Sequence, residues 1–195
     1  AYEMLRSLVG SEMCIRDRPS YAATAWYHNR VPNRPADVAT IVAEARTFAN
    51  GPYAAALAKG QTISPAERDA VAQRMSQLTG LSVDFIERAN LRIDLSRFQK
   101  ELLRDRRETI GRFDSRYTGI DADAAGERPE TDASSDAISG AFIGTFMDYM
   151  THTLGYKTEM PYRLSARDAA GWTWNWKHDA PGRGGCLLYT SDAAD

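Results

Sequence analysis

A mainly α-helical protein with one short extended element is what this sequence predicts, and three observations predict it. Helix start and stop signals recur, most clearly Ser64-Pro65-Ala66-Glu67 at one end of a segment and Gly80 at the other. Between such signals the apolar residues keep helical spacing, as in Val38, Ile41, Val42, Ala45 and Phe48, which places them on one face. Strand-like sequence is confined to Thr109–Tyr117 (TIGRFDSRY) and to the alternating Trp172, Trp174 and Trp176.

Taken in order, Tyr21 to His28 predicts a short helix, which Val31-Pro32-Asn33-Arg34-Pro35 breaks. The next helix carries the Val38 to Phe48 face and is expected to stop at Asn50-Gly51. Pro52 then opens a short Ala-rich helix through Leu57 that ends at Gly60. In the next segment Ser64 is the N-cap, Pro65 takes the first helical position where its missing N–H is harmless, and Glu67 completes a capping box. That helix should run to Thr79 with Val71, Met75 and Leu78 on one face, and Gly80 supplies a left-handed cap. Ser82 and Asp94 cap two more short helices, one carrying Val83, Phe85 and Ile86, the other Leu95, Phe98, Leu102 and Leu103.

The extended segment then leads into an acidic loop, within the stretch Gly111–Pro129 (GRFDSRYTGIDADAAGERP) that helical sequence flanks on both sides. Ser134 or Ser135 is expected to cap a long amphipathic helix ending at Gly155. Its Ile138, Ala141, Phe142, Thr145, Phe146, Tyr149, Met150 and Leu154 should pack into a core. The tryptophan row points its indoles one way and needs a surface over it.

With 43% hydrophobic and 26% charged residues, the 195-residue chain has ordinary globular composition. The ends are expected to be foreign to it. Cys186–Asp195 (CLLYTSDAAD) is what TGT CTC TTA TAC ACA TCT GAC GCT GCC GAC encodes, a transposase-adaptor string, and Ala1–Arg18 fits the partner adaptor and its primer. One codon choice for Glu12–Arg18 contains AGATGTGTATAAGAGACA, whose reverse complement encodes Cys186–Ser191. Residues 1–18 and 186–195 are therefore set apart from the natural segment 19–185. Both cysteines, Cys14 and Cys186, go with them, so no disulfide or thiol chemistry is expected. The remainder carries no net charge, which favours neither nucleic acid nor an anionic membrane. No apolar run reaches the roughly 18 residues that a membrane span needs. Compartment is not legible.

For chemistry, Asp121, Asp123, Gly126 and Asp132 fall at four positions of an EF-hand loop, but Ala125 takes a ligand position and Asp132 replaces the bidentate glutamate. No metal and no cofactor is expected. The acidic loop reads instead as solvated, or as capping its own turns. His28, His152 and His178 are scattered, and Asp148 with His152 reads as a surface pair one helical turn apart. No G-x-S-x-G elbow occurs, so no catalytic residue is assigned.

Gly111–Pro129, together with Pro19–His28 (PSYAATAWYH), Leu154–Tyr162 (LGYKTEMPY) and the shorter strings SPAER, ERANLRID and KELLRD, resembles bacterial members of the serine carboxypeptidase family, peptidases of the α/β-hydrolase fold. The resemblance covers the middle of such an enzyme. It implies the helical cap, or lid, of an α/β-hydrolase, with most of the catalytic sheet missing and the Ser, Asp and His of the triad lying outside this chain. The implied partner is a peptide substrate of the intact parent, and the chain is expected to be inactive alone. Tyr21, Trp26 and Tyr117 are the residues the resemblance places nearest the substrate pocket, with aromatic packing between cap and core as their alternative role. Two rival readings are a free-standing helical binding or interaction module and a homodimer that buries the apolar helix faces; oligomeric state is open.

Overall fold

A computed structural model of the protein describes residues 2–157 and 159. It is mainly helical, with one two-stranded sheet, and divides into two compact units, Ala1–Phe142 and Ile143–Asp195. The tryptophan row, His178 and Cys186 lie outside the described residues.

In the first unit, the short helix expected at Tyr21–His28 is the end of a longer one, α1 (Tyr2–Tyr27), which has Pro19 inside it. Proline removes a backbone donor from the ladder. Burial on both sides of it keeps the helix in place, with Cys14 and Arg18 before and Tyr21, Ala22 and Ala25 after. The helix thus crosses the junction expected at Pro19 without interruption. Arg18 is itself buried, donating from Nε to the Cys14 carbonyl at 2.8 Å and from Nη2 to the Ile93 carbonyl at 2.6 Å.

After the Val31–Pro35 break, α2 (Val38–Phe48) starts at an Asp37 cap and buries Ile41, Ala45 and Phe48, the expected face. The expected stop at Asn50-Gly51 is not one. A π turn (Ala49–Tyr53) carries the helix across it, the Ala54 N–H reaching back to the Ala49 carbonyl. This wider turn takes Gly51 and Pro52 without breaking direction and delivers Tyr53 into the core, where its hydroxyl donates to the Leu91 carbonyl at 2.7 Å. Helix α3 (Ala54–Lys59) then ends at Gly60, whose φ is +53°.

Helix α4 (Pro65–Thr79) has the capping box, the first-turn proline and the left-handed Gly80 that its sequence predicts. Gly80 is required twice over, by its φ of +71° and because a Cβ there would sit 2.6 Å from the Arg30 Cβ. Ser82 caps α5 (Val83–Arg88) and Asp94 caps α6 (Leu95–Glu101), each by accepting a backbone N–H. The core forms where α1 packs on α2 and α4, and α4 on α5. Its apolar centre includes Met75, Ile86, Ile93, Phe98 and Leu103.

The extended segment is a hairpin. β1 (Glu108–Ile110) pairs antiparallel with β2 (Thr118–Ile120), setting Thr109 opposite Gly119. Only the start of Thr109–Tyr117 is strand; the rest is the turn, and the partner strand comes from what reads as loop.

Helix α7 (Ala133–Asp148) continues through a π turn (Tyr149–Thr153) to Leu154, and Gly155 follows at φ +65°. Its cap is Asp132 rather than a serine, because the Asp132 carboxylate accepts from the Ser134 N–H at 3.1 Å and from both serine hydroxyls. The expected core stripe is a surface: Ile138 is 51% exposed, Phe142 68% and Leu154 56%. Ala137, Gly140, Ala141, Gly144 and Thr145 are exposed as well, so α7 is not amphipathic but apolar on several sides. Helical spacing shows that apolar residues share a face, not that anything covers it. Among the described residues no helix is long and apolar enough to cross a membrane.

Candidate functional site

The stretch that carries the resemblance, Gly111–Pro129, is held from one side by the basic edge of α6. Arg97, Lys100 and Arg104 follow one another at three and four residues, which stacks them along one side of the helix and its following turn. Arg97 pairs with Glu127, and Arg104 donates to the Ala124 and Gly126 carbonyls. Between them Lys100 is fully buried. Its ammonium pairs with the equally buried Asp121 and donates to the Asp123 carbonyl at 2.5 Å and to Glu130 at 3.2 Å. The loop is therefore acidic chiefly because it answers a basic helix edge. Self-capping contributes too, since Asp123 accepts the Ala125 N–H at 3.1 Å.

Burial opposes the charged form of Lys100, but hydrogen bonds from it to Asp121 and Glu130 and the fields of both carboxylates outweigh that, and its pKa is raised. Such a pair adds little over an apolar substitute of equal shape, yet removing one partner leaves an uncompensated buried charge. Asp121 is thereby committed to Lys100, and Asp132 to the start of α7. Among the described residues no group of His, Cys, Asp or Glu could hold a metal ion.

On its other side the loop docks on the end of α1. The Ser115 hydroxyl bonds that of Thr24 at 2.8 Å, and His28 donates from Nε2 to the Ser115 carbonyl at 2.7 Å. This turn is tight: a Cβ on Gly111 would lie 2.4 Å from the Asp114 carbonyl oxygen. Arg116 chelates Asp114 through two nitrogens and holds its carboxyl near a pKa of about 2.

The three pocket candidates have three different settings. Tyr21 is a core residue, stacked on Phe98 with ring centroids 4.0 Å apart, and burial pushes its phenol far above the ordinary range. Trp26 is half-buried; its Nε1 donates to the Pro35 carbonyl at 2.7 Å and Arg34 lies over its ring. Tyr117 is 46% exposed in the hairpin turn. Tyr27, which sequence reasoning did not single out, is exposed at the end of α1 and stands edge-on to His28, the residue that donates to the Ser115 carbonyl of this turn.

Asp148, Thr151 and His152 have the residue types of a catalytic triad but not its geometry. The carboxylate, at 2.8 Å, and the hydroxyl, at 3.4 Å, both address Nδ1, so the ring cannot be oriented by one while taking a proton from the other. The pair is a surface one, as its spacing predicts. No family model, no curated protein and no solved structure matches this chain.

Proposed function

We propose that the chain contributes the helical cap over the active site of a serine carboxypeptidase-like α/β-hydrolase and makes or breaks no bond itself. The observation that carries this reading is α7, a helix bearing exposed Ile138, Phe142 and Phe146 directly after the loop that resembles the family. A helix apolar on several sides is ordinarily covered by a larger core, and the sheet of a hydrolase would supply one. The cap's role would be to exclude water and shape the entry to the pocket.

The deciding experiment is an uninterrupted read of the source DNA across the codons of Pro19 and Gly185. An open frame that continues into a G-x-S-x-G elbow upstream and an Asp and a His downstream is the expected result. A frame with neither removes the basis for the peptidase reading. In the restored enzyme, Tyr117→Ala is expected to raise KM or lower kcat for a peptide substrate; unchanged kinetics with lowered stability would take Tyr117 out of the pocket.

One observation favours the rival, a free-standing helical binding module. The helices from α1 to α6 enclose an apolar core of their own. A cooperative melt of a monomer at all concentrations would support that reading, and a concentration-dependent melt would point to paired copies.

A further inference from the structure

The two outer edges of the β1–β2 hairpin differ. The Gly111 N–H donates to the Tyr117 carbonyl at 2.9 Å and the Asp121 N–H to the Arg107 carbonyl at 2.8 Å, on either side of the Thr109–Gly119 pair. In an antiparallel pair the N–H and C=O of one residue point to the same side, and successive residues alternate. Glu108 and Ile110 of β1, and Thr118 and Ile120 of β2, therefore turn their backbone polar groups away from the hairpin.

On the β1 side these groups have partners. Gln99 of α6 donates from Nε2 to the Ile110 carbonyl at 2.9 Å, and the Glu108 N–H reaches the Leu103 carbonyl at 3.3 Å. On the β2 side the strand faces out, with Thr118 exposed and Ile120 90% exposed. Among the described residues β2 pairs with β1 alone. Thr118-Gly119-Ile120 carries neither a charge nor a proline, the side chains that commonly close a strand edge. The edge is also held in place. Gly119 rests against the start of α7, where an added Cβ would lie 3.2 Å from that of Ala133, and Asp121, next along the chain, is pinned by Lys100. Binding to a fixed edge costs less ordering than binding to a loose one.

We propose that the outer edge of β2 binds an extended peptide by strand addition, with Thr118 and Ile120 exchanging backbone hydrogen bonds with it. An extended chain is the ligand whose own N–H and C=O groups alternate to match such an edge. Tyr117, the exposed pocket candidate, directly precedes the strand. The inference rests on the proposed function for one point, that the peptide is the substrate; the edge then holds that substrate by its backbone and not by its side chains.

The test titrates the full chain with the blocked pentapeptide acetyl-Thr-Val-Thr-Val-Thr-amide, following backbone amides by NMR. Saturable shifts and slowed hydrogen exchange are expected at Thr118 and Ile120. An analogue N-methylated at every residue, which keeps the side chains and loses the backbone donors, should bind at least tenfold more weakly. Ile120→Pro removes an outward N–H and leaves the bonds to β1 in place. Followed at Thr118, it should lose at least tenfold in affinity while the Gly111 and Asp121 amides stay protected; Ile120→Val, which keeps the N–H, should bind as the parent does. No saturable shift at these amides, equal binding of the analogue, or undiminished binding to Ile120→Pro would overturn the proposal. Shifts of the same amides with chain concentration alone would overturn it too, giving the edge to a second copy. The titration uses the chain as it is, whereas the peptidase reading is decided on the DNA, so failure of the one is told apart from failure of the other.

Discussion

Helices α4 and α7 are nearly equal in length, and each is capped at its start by a side chain that accepts a backbone N–H. The more polar of the two is the better buried. α4 sends Val71, Ala72, Met75, Leu78 and Thr79 into the core, whereas α7 buries only Ala133 and Ser134. Apolar content thus does not decide burial in this protein. What decides it is whether a neighbouring element arrives to cover the face, and for α4 that neighbour is α1 on one side and α5 on the other.

The comparison would be broken most directly at the seam between α6 and the loop before α7. Lys100→Ala leaves Asp121 charged and buried, and should cost about 3–5 kcal/mol in denaturant unfolding. Lys100→Met, which removes the charge but keeps much of the volume, leaves the same orphan and should rescue little; Lys100→Met with Asp121→Leu should recover most of the loss. A small effect of Lys100→Ala would mean that the loop is held by something other than this pair.

The two helices should then separate cleanly on truncation. Met75→Ala in α4 is expected to lose about 2–5 kcal/mol, as large-to-small changes in packed cores do. Phe142→Ser in α7 should stay within about 0.5 kcal/mol, as exposed substitutions do, while lowering aggregation and the binding of an apolar dye. A large stability loss for Phe142→Ser would show that α7 is covered in solution, and the cap reading would lose its carrying observation.

The smallest effect distinguishes how the helices begin. Burial raises the Asp132 pKa, but hydrogen bonds from the Arg112 and Ser134 N–H groups and from the serine hydroxyls outweigh it and hold the pKa below its ordinary value. A carboxyl depressed on folding stabilises above its unfolded pKa, and that contribution is lost as pH falls through the folded one. Asp132→Ala should therefore cost about 1 kcal/mol at neutral pH, a typical cap value, and the difference from the parent should shrink in acid. Stability measured from pH 7 to pH 2 checks this; a difference undiminished at pH 2 would mean the side chain acts by shape rather than charge.

Much of the fold was legible because much of it is local. Ser64, Ser82 and Asp94 cap helices, and Gly80 ends one, through bonds that span a few residues and are written in the order of the chain. The inward faces of α2 and α4 were legible for the same reason, since spacing fixes which side chains share a side. The π turn was not, because Asn50-Gly51-Pro52 is a fair stop signal until Tyr53 has a core to enter. The hairpin was missed because each strand is three residues long, too short to show alternation. Of the candidate site, the loop was found by its sequence, but Lys100 was not, since one lysine in a charged helix looks like any other until Asp121 closes over it.

By itself, then, the sequence determined the helical class, the caps and the loop at Gly111–Pro129. Tertiary structure decided which apolar faces are covered, which charges are buried as pairs, and where a proline or glycine interrupts a helix and where it does not. The reason is physical range: a cap or a helix face is settled within a turn or two of chain, whereas burial and the pairing of buried charges depend on segments that meet only when the whole chain has folded.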